Sequence, residues 1–443
     1  MSGAILSLSM IFTVVFFILL GGHIAVVLPM TGLLFAFLTG RTALISFIPD
    51  RFFGSMTSFS LIAVPLFVFM GIILEKAEIA IKVYGALHKL MGKLPGSLLL
   101  ATTIFSIMFG ACTGVLGAII VSMGLIALPA MISAGYNKEL SCGTICAGSS
   151  LGLIIPPSIM LVIYGPTAGV NIAELFFACF IPGVLIGVLF FIYIYIKCYL
   201  NPSLAPFAII KEESIMSRLE KIKLFISSVL PTLALIVFVL GSILAGIASP
   251  TEAAAVGSVG ALVISALYGK LNLENIKQSC WETTKITAFI MLIVLGASVF
   301  TTMFMGLGGS NFLTELVLRI QSNTGTFGAI FLLLTIIFIL GMFMDWIGIL
   351  MIFVPISVPI VNILGIDKVW FGTLFCMVLT ISCITPPFAY TAFYLKGIVP
   401  KNSGITLTHI YRGLIPFVIL QIIVVILVYL FPELSTWLPN MML

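Results

Sequence analysis

The stretch Gly148-Ser149-Ser150-Leu151-Gly152-Leu153-Ile154-Ile155-Pro156-Pro157-Ser158 decides the architecture of this chain. It lies in an uncharged run from Leu140 to Ala173, whose length and apolar character place it at membrane depth. Two consecutive prolines remove two backbone donors and clash with the preceding turn, so a continuous helix cannot pass through them. Free backbone groups are tolerated at that depth only inside protein or beside a water-filled cavity. The sequence therefore predicts a broken transmembrane helix over residues 140–173.

A second Pro-Pro interruption of an uncharged run occurs in the second half of the chain. Thr385-Pro386-Pro387 interrupts a second uncharged run, Val369 to Leu395. Interrupted spans in corresponding positions of two halves are typical of the binding site of a secondary transporter. Other glycines and prolines pair at the same separation with a one-residue slip, which indicates one duplicated unit: Gly110 with Gly341, Gly117 with Gly348, Pro129 with Pro359 and Gly135 with Gly365.

The composition is that of a polytopic α-helical membrane protein. The chain has 443 residues, of which 61% are hydrophobic and 8% are charged, and its mean hydropathy is +1.30. These values exclude a soluble domain. The net charge of +5 lies mainly in loops and reflects insertion topology rather than nucleic-acid binding. Membrane spans are predicted at Ile5–Leu20, Ile24–Thr39, Phe59–Leu74, Leu175–Ile196, Leu224–Ala248, Ala253–Gly269, Ile286–Met305 and Gly413–Phe431.

Each half also contains a long apolar stretch that does not fit a single crossing. Residues 94–137 carry no charge and have Gly110-Ala111-Cys112-Thr113-Gly114 at their middle. Because one span needs about 20 residues, this stretch is predicted to be a re-entrant helical hairpin. Residues 320–366 form the counterpart, with Asp345 at the turn. The charged segments Glu75–Lys93 and Gly308–Arg319 precede the hairpins and are predicted to be arms that link a scaffold to a carrier.

The domain organisation follows from these elements. Residues 1–196 form the first repeat, with its hairpin at 94–137 and its broken helix at 140–173. Residues 197–223 are polar and charge-mixed and are predicted to be a cytoplasmic linker. Residues 224–443 form the second repeat, with its hairpin at 320–366 and its broken helix at 369–395.

Orientation follows from parity and charge. Each half is predicted to cross the membrane an odd number of times, so the second repeat is inverted relative to the first. With the N-terminus outside, all but four of the 20 lysines and arginines fall inside, as the positive-inside rule requires. Both termini are therefore predicted to be outside, which for a bacterial inner membrane is the periplasm. The first hairpin then opens from the cytoplasmic side and the second from the periplasmic side. The four outer residues are Arg41, Arg51, Arg319 and Lys368.

The hairpin tips and helix breaks are the candidate binding region. Half-helix N-termini present N–H groups that suit a carboxylate, and the carbonyl groups at C-terminal ends suit a sodium ion. Hydroxyl and carbonyl oxygens are the ligands that a hard cation prefers. The alternative is that these serines and threonines only form hydrogen bonds to their own backbone. For a single serine this alternative is preferred, whereas a symmetric cluster at both Pro-Pro breaks favours a binding region. The candidates in the first half are Gly110, Thr113, Gly114, Ser149, Ser150, Pro156, Pro157 and Ser158, and those in the second are Gly341, Asp345, Ser382, Thr385, Pro386 and Pro387.

Asp345 is the ionisable residue that the prediction places well inside the membrane. Such a carboxylate is a functional candidate as an ion ligand, proton carrier or tip anchor. The alternative, equally favoured, is an N-cap for the second arm of the hairpin. Ser249-Pro250-Thr251-Glu252 has the pattern of a capping box and is predicted to be structural.

No catalytic constellation is predicted. An enzyme would need a nucleophile–base pair, a carboxylate pair or a metal cluster. One buried aspartate and three peripheral histidines do not supply any of these, so the sequence predicts no enzyme, no cofactor and no metal beyond Na⁺ as coupling ion. A passive anion channel remains an alternative, although duplicated inverted halves favour alternating access. The histidines are His23, His88 and His409.

Five stretches give the chain a family resemblance that covers essentially its whole length. It resembles the large membrane subunit of a TRAP (tripartite ATP-independent periplasmic) transporter of the ion-transporter superfamily. The resemblance implies an elevator-type carrier with Na⁺ and substrate sites at the hairpin tips and broken helices. It also implies a small four-helix membrane subunit and a periplasmic substrate-binding protein as partners, in a lipid membrane. The stretches are Thr113–Ala118, Gly148–Ser158, Ser249–Gly257, Gly341–Trp346 and Thr385–Phe388.

One departure concerns the first tip. It reads Gly-Ala-Cys-Thr-Gly-Val, without the acidic residue that many family members have just beyond it, so Asp345 has no carboxylate counterpart. The prediction is a Na⁺-coupled importer subunit for a small organic anion, a carboxylate by expectation, delivered by a binding protein. A stand-alone Na⁺- or H⁺-coupled dicarboxylate carrier is the alternative.

Overall fold

The computed structural model describes residues 3–206, 217–400 and 403–441. Over these residues the chain forms twenty α-helices and no β-strand. The first half contains α1 (Gly3–Leu19), α2 (Ile24–Leu38), α3 (Ile48–Met56), α4 (Ala63–Lys76), α5 (Ile79–Met91), α6 (Ser97–Thr113), α7 (Leu116–Ser133), α8 (Lys138–Ser150), α9 (Ile159–Ala168) and α10 (Ile172–Leu200). The second contains α11 (Arg218–Leu224), α12 (Leu230–Leu244), α13 (Pro250–Leu267), α14 (Leu273–Gly306), α15 (Gly309–Gly341), α16 (Trp346–Ile363), α17 (Lys368–Ser382), α18 (Tyr390–Ile398), α19 (Leu407–Leu430) and α20 (Glu433–Asn440).

The predicted fold class is confirmed: the chain is an all-α polytopic membrane protein built from two repeats. Within the described ranges, nine helices are long and apolar enough to cross a membrane. Helices α6 and α7 form the first hairpin, and α15 and α16 form the second. Helices α8 and α9 flank the first Pro-Pro break, and α17 and α18 flank the second. The predicted linker, residues 197–223, is only partly described, since residues 207–216 lie outside the described ranges. Its first residues continue α10 to Leu200, and its last residues form α11 from Arg218.

The two hairpin turns are made by different local chemistry. At the first, Gly114 has φ +58° and its N–H donates to the Gly110 carbonyl at 2.8 Å. Glycine adopts this left-handed conformation without steric cost, so it ends α6 cleanly. At the second, the Asp345 side chain accepts the N–H of Ile347 at 3.1 Å and starts α16. The first hairpin turn thus depends on a glycine that ends α6, and the second depends on an aspartate that caps the start of α16.

The structure differs from the sequence prediction at the start of α14 and in two short helices. Helix α14 begins at Leu273 rather than Ile286, because its charged first turns continue the helix beyond the apolar span. Glu282 in this extension forms a 2.8 Å ion pair with Lys76 at the end of α4. The short helices α3 and α20 were not predicted, since a search for about 20 apolar residues does not detect amphipathic helices of eight or nine residues.

The two arms have matching bends. Helix α5 follows Glu78, at φ +55°, and α15 follows Gly308, at φ +93°. A glycine with positive φ then separates each arm from its hairpin: Gly96 before α6, and Gly325 at a kink inside α15. Glu78 forms a 2.6 Å ion pair with Lys270, whose hydrogen bond and positive charge hold the pKa of the Glu78 carboxyl below its usual value. The duplication therefore extends to the hinges that flank each arm.

The helices assemble into two groups around the hairpins. Helix α2 packs along α14 and α13 packs along α4, with α1 on α2 and α3 on α14; we call these helices the scaffold group. Helix α8 packs against α6, α7 and α19; we call these helices, together with α9 and α16, which pack on each other, the carrier group. The α8–α19 contact is backbone to backbone, since a Cβ atom on Gly143 would lie 2.1 Å from the Gly413 carbonyl oxygen. At the boundary between the groups, a Cβ atom on Gly71 of α4 would lie 2.6 Å from the Cα of Thr113.

Candidate functional site

Each hairpin tip packs on the broken helix of its own repeat. A Cβ atom on Gly110 would lie 2.5 Å from the Cα of Gly152. In the second repeat, a Cβ atom on Gly341 would lie 2.1 Å from Ser382 Oγ and 2.6 Å from Ser382 Cβ. Gly110 matches Gly341 and Gly152 matches Ser382 in the duplicated register. The two tip-to-break contacts are therefore equivalent, and glycine makes both possible.

The predicted hydroxyl residues all donate to carbonyls of their own segment, and Ser382 also forms the second tip-to-break contact. Ser149, Ser150, Ser158 and Ser382 are buried and Thr385 is half-buried. A hydroxyl has one hydrogen and two acceptor lone pairs, so these bonds leave oxygen lone pairs available to a cation. The bonds are Thr113 to Phe109, 3.0 Å; Ser149 to Ile145, 2.6 Å; Ser150 to Ala147, 2.7 Å; Ser158 to Leu153; Ser382 to Leu379, 2.7 Å; and Thr385 to Ile381, 2.7 Å.

The two breaks differ in exposure. Pro156 and Pro157 are buried, whereas Pro386 and Pro387 are exposed. Both Pro-Pro peptide bonds are cis. The Tyr411 hydroxyl donates to the Pro387 carbonyl at 3.0 Å, so one free acceptor of the exposed break is paired. The second break therefore lies at an open face of the carrier and the first lies in its interior.

A small cavity of about 120 Å³ lies where the two tips meet the scaffold. Gly114 and Gly117 line it from the first tip and Asp345 from the second, while Tyr390 comes from the second break and Phe289 from α14. Of the predicted site residues, Gly114 and Asp345 line this cavity, and the predicted hydroxyl residues do not. The structure thus brings both tips to one cavity against α14.

The cavity has two chemically different sides. On the first tip, helix α7 begins after Val115, which provides no side-chain cap, so the first N–H groups of the helix have no acceptor within it. Leu116 and Gly117, which carry two of these groups, line the cavity. On the second tip, Asp345 is the one carboxylate among the lining residues. The first side suits an anion and the second suits a cation.

Sequence reasoning missed Gln421 of α19. Its side chain is fully buried, and its Nε2 donates to Ser150 Oγ at 3.1 Å. Its Oε1 has no hydrogen-bond partner among the described residues. The signal was present in the sequence, because Gln421 is the one amide side chain in the apolar run Gly413–Phe431, and polar residues inside the membrane mark functional regions.

Replacing Gln421 with leucine should weaken Na⁺ dependence more than it weakens the fold. The change removes the bond to Ser150 and also the unpartnered carbonyl, so the free energy of unfolding should change by less than about 1.5 kcal/mol. If Ser150 is a Na⁺ ligand, as the sequence predicts, the Na⁺ concentration for half-maximal uptake should rise severalfold, because its hydroxyl loses one of the two hydrogen bonds that position it. A Na⁺ titration of uptake measures this. Ser150→Ala should have the same effect, and the double variant should have no larger effect than either single variant. If the effects of the two single changes added up in the double variant, Gln421 would not act on Na⁺ dependence through Ser150.

Two inverted repeats, each with a re-entrant hairpin and a broken span that meet at one cavity, define a secondary transporter. Residues 11–434 match the model of the family described as "Tripartite ATP-independent periplasmic transporter, DctM component". The chain therefore belongs to the large membrane subunits of TRAP transporters, as the resemblance predicted, and this is a family of transport subunits.

Curated relatives match over most of their length. The chain is 30% identical to the sialic acid TRAP transporter large permease protein SiaM of Vibrio cholerae, over 93% of each chain. It is 29% identical to the C4-dicarboxylate TRAP transporter large permease protein DctM of Pseudomonas aeruginosa, over 91% of this chain and 93% of that one. It is also 29% identical to the ectoine/5-hydroxyectoine TRAP transporter large permease protein UehC of Ruegeria pomeroyi, over 86% of each chain.

A solved structure shares the fold. The YdaH transporter of Alcanivorax borkumensis, described as having an unusual topology, superposes with a TM-score of 0.64 over 90% of each chain at 14% identity. At that identity the likeness concerns the fold alone. It supports the paired hairpins and broken spans as one architecture.

Proposed function

We propose that this chain carries a small carboxylate anion together with Na⁺ across the bacterial inner membrane, with both termini on the periplasmic side. The observation that supports this most directly is the cavity between the hairpin tips. The uncapped first residues of α7, Leu116 and Gly117, line it from one tip, and Asp345 lines it from the other. A carboxylate and a cation bound together would satisfy both sides at once.

The substrate class is supported by the relatives. Sialic acid, C4-dicarboxylates and ectoine, which the names of the relatives record, all carry a carboxylate. A family that transports such different molecules has this group in common. The N-terminus of α7 offers the kind of site that recognises it.

The carrier group is proposed to move as an elevator past the scaffold. The small cavity lies against Ile286, Phe289 and Ile290, next to the charged extension of α14 that contains Lys285. In the proposed orientation this is the cytoplasmic part of α14, so the carrier stands at its cytoplasmic position. The left-handed residues Glu78 and Gly308 would let the arms bend as the carrier moves.

Two protein partners are proposed: a small four-helix membrane subunit and a periplasmic binding protein that delivers the substrate. The scaffold offers surface for a partner inside the membrane, since Phe12 of α1 and Phe53 of α3 are 70% and 72% exposed. Exposed apolar residues of this kind pack against lipid or a partner helix.

Uptake by proteoliposomes tests the proposal. The chain is reconstituted with a candidate four-helix subunit, and uptake of labelled sialic acid, succinate and ectoine is measured with and without an inward Na⁺ gradient and a candidate binding protein. Uptake that requires both is expected. Uptake with Na⁺ alone would instead support a stand-alone carrier, and flux independent of any gradient would support a channel.

A further inference from the structure

A second and larger cavity, of about 400 Å³, lies between the scaffold and the carrier on the Arg51 side of the molecule. Helix α3 and the turn after it form its outer wall, and α14 forms its scaffold wall. Residues of α9 and α16, among them Thr167 and Met351, form the carrier wall. Its volume falls within the range of about 300–1,000 Å³ typical of small-molecule sites. We call it the outer cleft.

The outer cleft presents hydrogen-bond donors that have no partner. Arg51 lines it and forms no ion pair in the part of the chain that the structure describes. The hydroxyls of Ser55 and Ser58 line it on the same helix and turn, and neither donates a hydrogen bond to another described residue. A guanidinium with two hydroxyls beside it is suited to a carboxylate.

Asp50 sets a limit on what the outer cleft accepts. Its carboxylate lines the cleft next to Arg51 in the chain. A second carboxylate on the ligand would be repelled by it, whereas a ligand hydroxyl or cationic nitrogen would be attracted. The lining therefore favours a monocarboxylate that carries hydroxyl groups or a positive charge over a dicarboxylate.

Helix α14 shows a different surface to each cavity. At the small cavity it presents Ile286, Phe289 and Ile290. At the outer cleft it presents the hydroxyls of Ser298, Thr301 and Thr302, with Val294 and Met305 beside them. These hydroxyls donate to backbone carbonyls, so they offer acceptors to the hydroxyl or cationic groups of a ligand. With a rise of about 1.5 Å per residue, the centres of the two surfaces lie about 18 Å apart along the helix. A carrier displaced by that distance toward Arg51 would bring the Asp345 tip opposite the hydroxyl-bearing surface.

We propose that the outer cleft is a second binding site, which takes a hydroxylated or zwitterionic monocarboxylate on Arg51 and Ser55 before it reaches the cavity at Asp345. The inference rests on the proposed function, because it assigns the cleft to the same transport path. The hydroxyl-bearing surface of α14 on the periplasmic side would then hold the substrate on entry. The apolar surface of α14 on the cytoplasmic side would favour its release. Arg51 and Asp50 select the substrate at entry.

Site-resolved alkylation tests binding without requiring transport. A cysteine is introduced by Ser58→Cys, and its labelling by a maleimide is followed by mass spectrometry of its own peptide, so the native cysteines do not interfere. Sialic acid and ectoine should slow labelling at least fivefold, and succinate should slow it less. Adding Arg51→Gln should abolish the protection, and adding Arg319→Gln, an exposed arginine outside the cleft, should preserve it. Labelling insensitive to all three compounds would overturn the proposal.

Sided kinetics supply the functional readout in the reconstituted system. Arg51→Gln should raise the KM for uptake from the Arg51 side at least fivefold, with the rate from the opposite side changed less than twofold, and Arg51→Lys should restore part of the loss. Equal losses from both sides would show a general structural defect and overturn the proposal. Transport without protection at residue 58 would leave the proposed function standing and remove the second site. Protection without transport would support the second site and contradict the proposed function.

Discussion

Replacing Gly110 with alanine should reduce uptake at least tenfold. The new Cβ atom would lie 2.5 Å from the Cα of Gly152 and 3.1 Å from its N, which are backbone atoms that cannot rotate away. Forcing an extra carbon into such a contact costs about 1–3 kcal/mol, and the tip would have to separate from the broken helix to accept it. Uptake in proteoliposomes and thermal unfolding in detergent measure the two consequences.

Gly241→Ala is the matched control for this experiment. Gly241 lies inside α12, and a Cβ atom added to it would have no other atom within 4 Å. Alanine favours a helix over glycine by up to about 1 kcal/mol, so this variant should keep wild-type uptake and unfold at the same or a higher temperature. Wild-type uptake by Gly110→Ala would show that the tight tip-to-break contact is not needed for transport.

Replacing Asp345 with asparagine should abolish most Na⁺-dependent uptake while it preserves the hairpin. Asparagine caps a helix about as well as aspartate, so the bond to the N–H of Ile347 can be kept. The negative charge at the cavity is lost, and with it the group that we assign to the cation. We expect uptake to fall at least tenfold, measured as a Na⁺ titration at fixed substrate.

Asp345→Ala separates the cap from the charge. It removes both, so it should lose about 1 kcal/mol of stability in addition to the transport defect. If Asp345 were only a cap, asparagine would behave like the wild type and only alanine would be impaired. An unchanged Na⁺ titration in Asp345→Asn would therefore reduce Asp345 to a structural residue.

The overall fold could be predicted because its main features have strong local causes. Pro156-Pro157 and Pro386-Pro387 cannot lie in a continuous helix, and long charge-free runs cannot be single spans. The capping box at Ser249 is likewise confirmed, since the Ser249 N–H donates to Glu252 at 2.8 Å and the Glu252 N–H donates to Ser249 Oγ at 3.3 Å. Each of these signals lies within a few residues of the structure that it determines.

The site could be predicted only in outline, because its details depend on packing between distant segments. That Gly114 and Asp345 share one cavity depends on how the two repeats fold against α14. The bond from Gln421 to Ser150 joins residues far apart in the chain, and no local pattern indicates it. The outer cleft depends on α3, an amphipathic helix too short for a hydropathy search. The assignment of Na⁺ and substrate to these residues remains a prediction.

The two tip-to-break contacts also bear on how the halves of this duplicated chain can diverge. At Gly110 the facing atoms belong to the backbone of Gly152, so no change in a neighbouring side chain can make room for a larger residue. At Gly341 the facing atoms belong to the side chain of Ser382, so a smaller residue there would admit a larger one at the tip. In a saturation mutagenesis screen, position 110 should accept glycine alone in any background. Position 341 should gain alternatives once residue 382 is glycine, which leaves the second repeat freer to evolve by paired substitution.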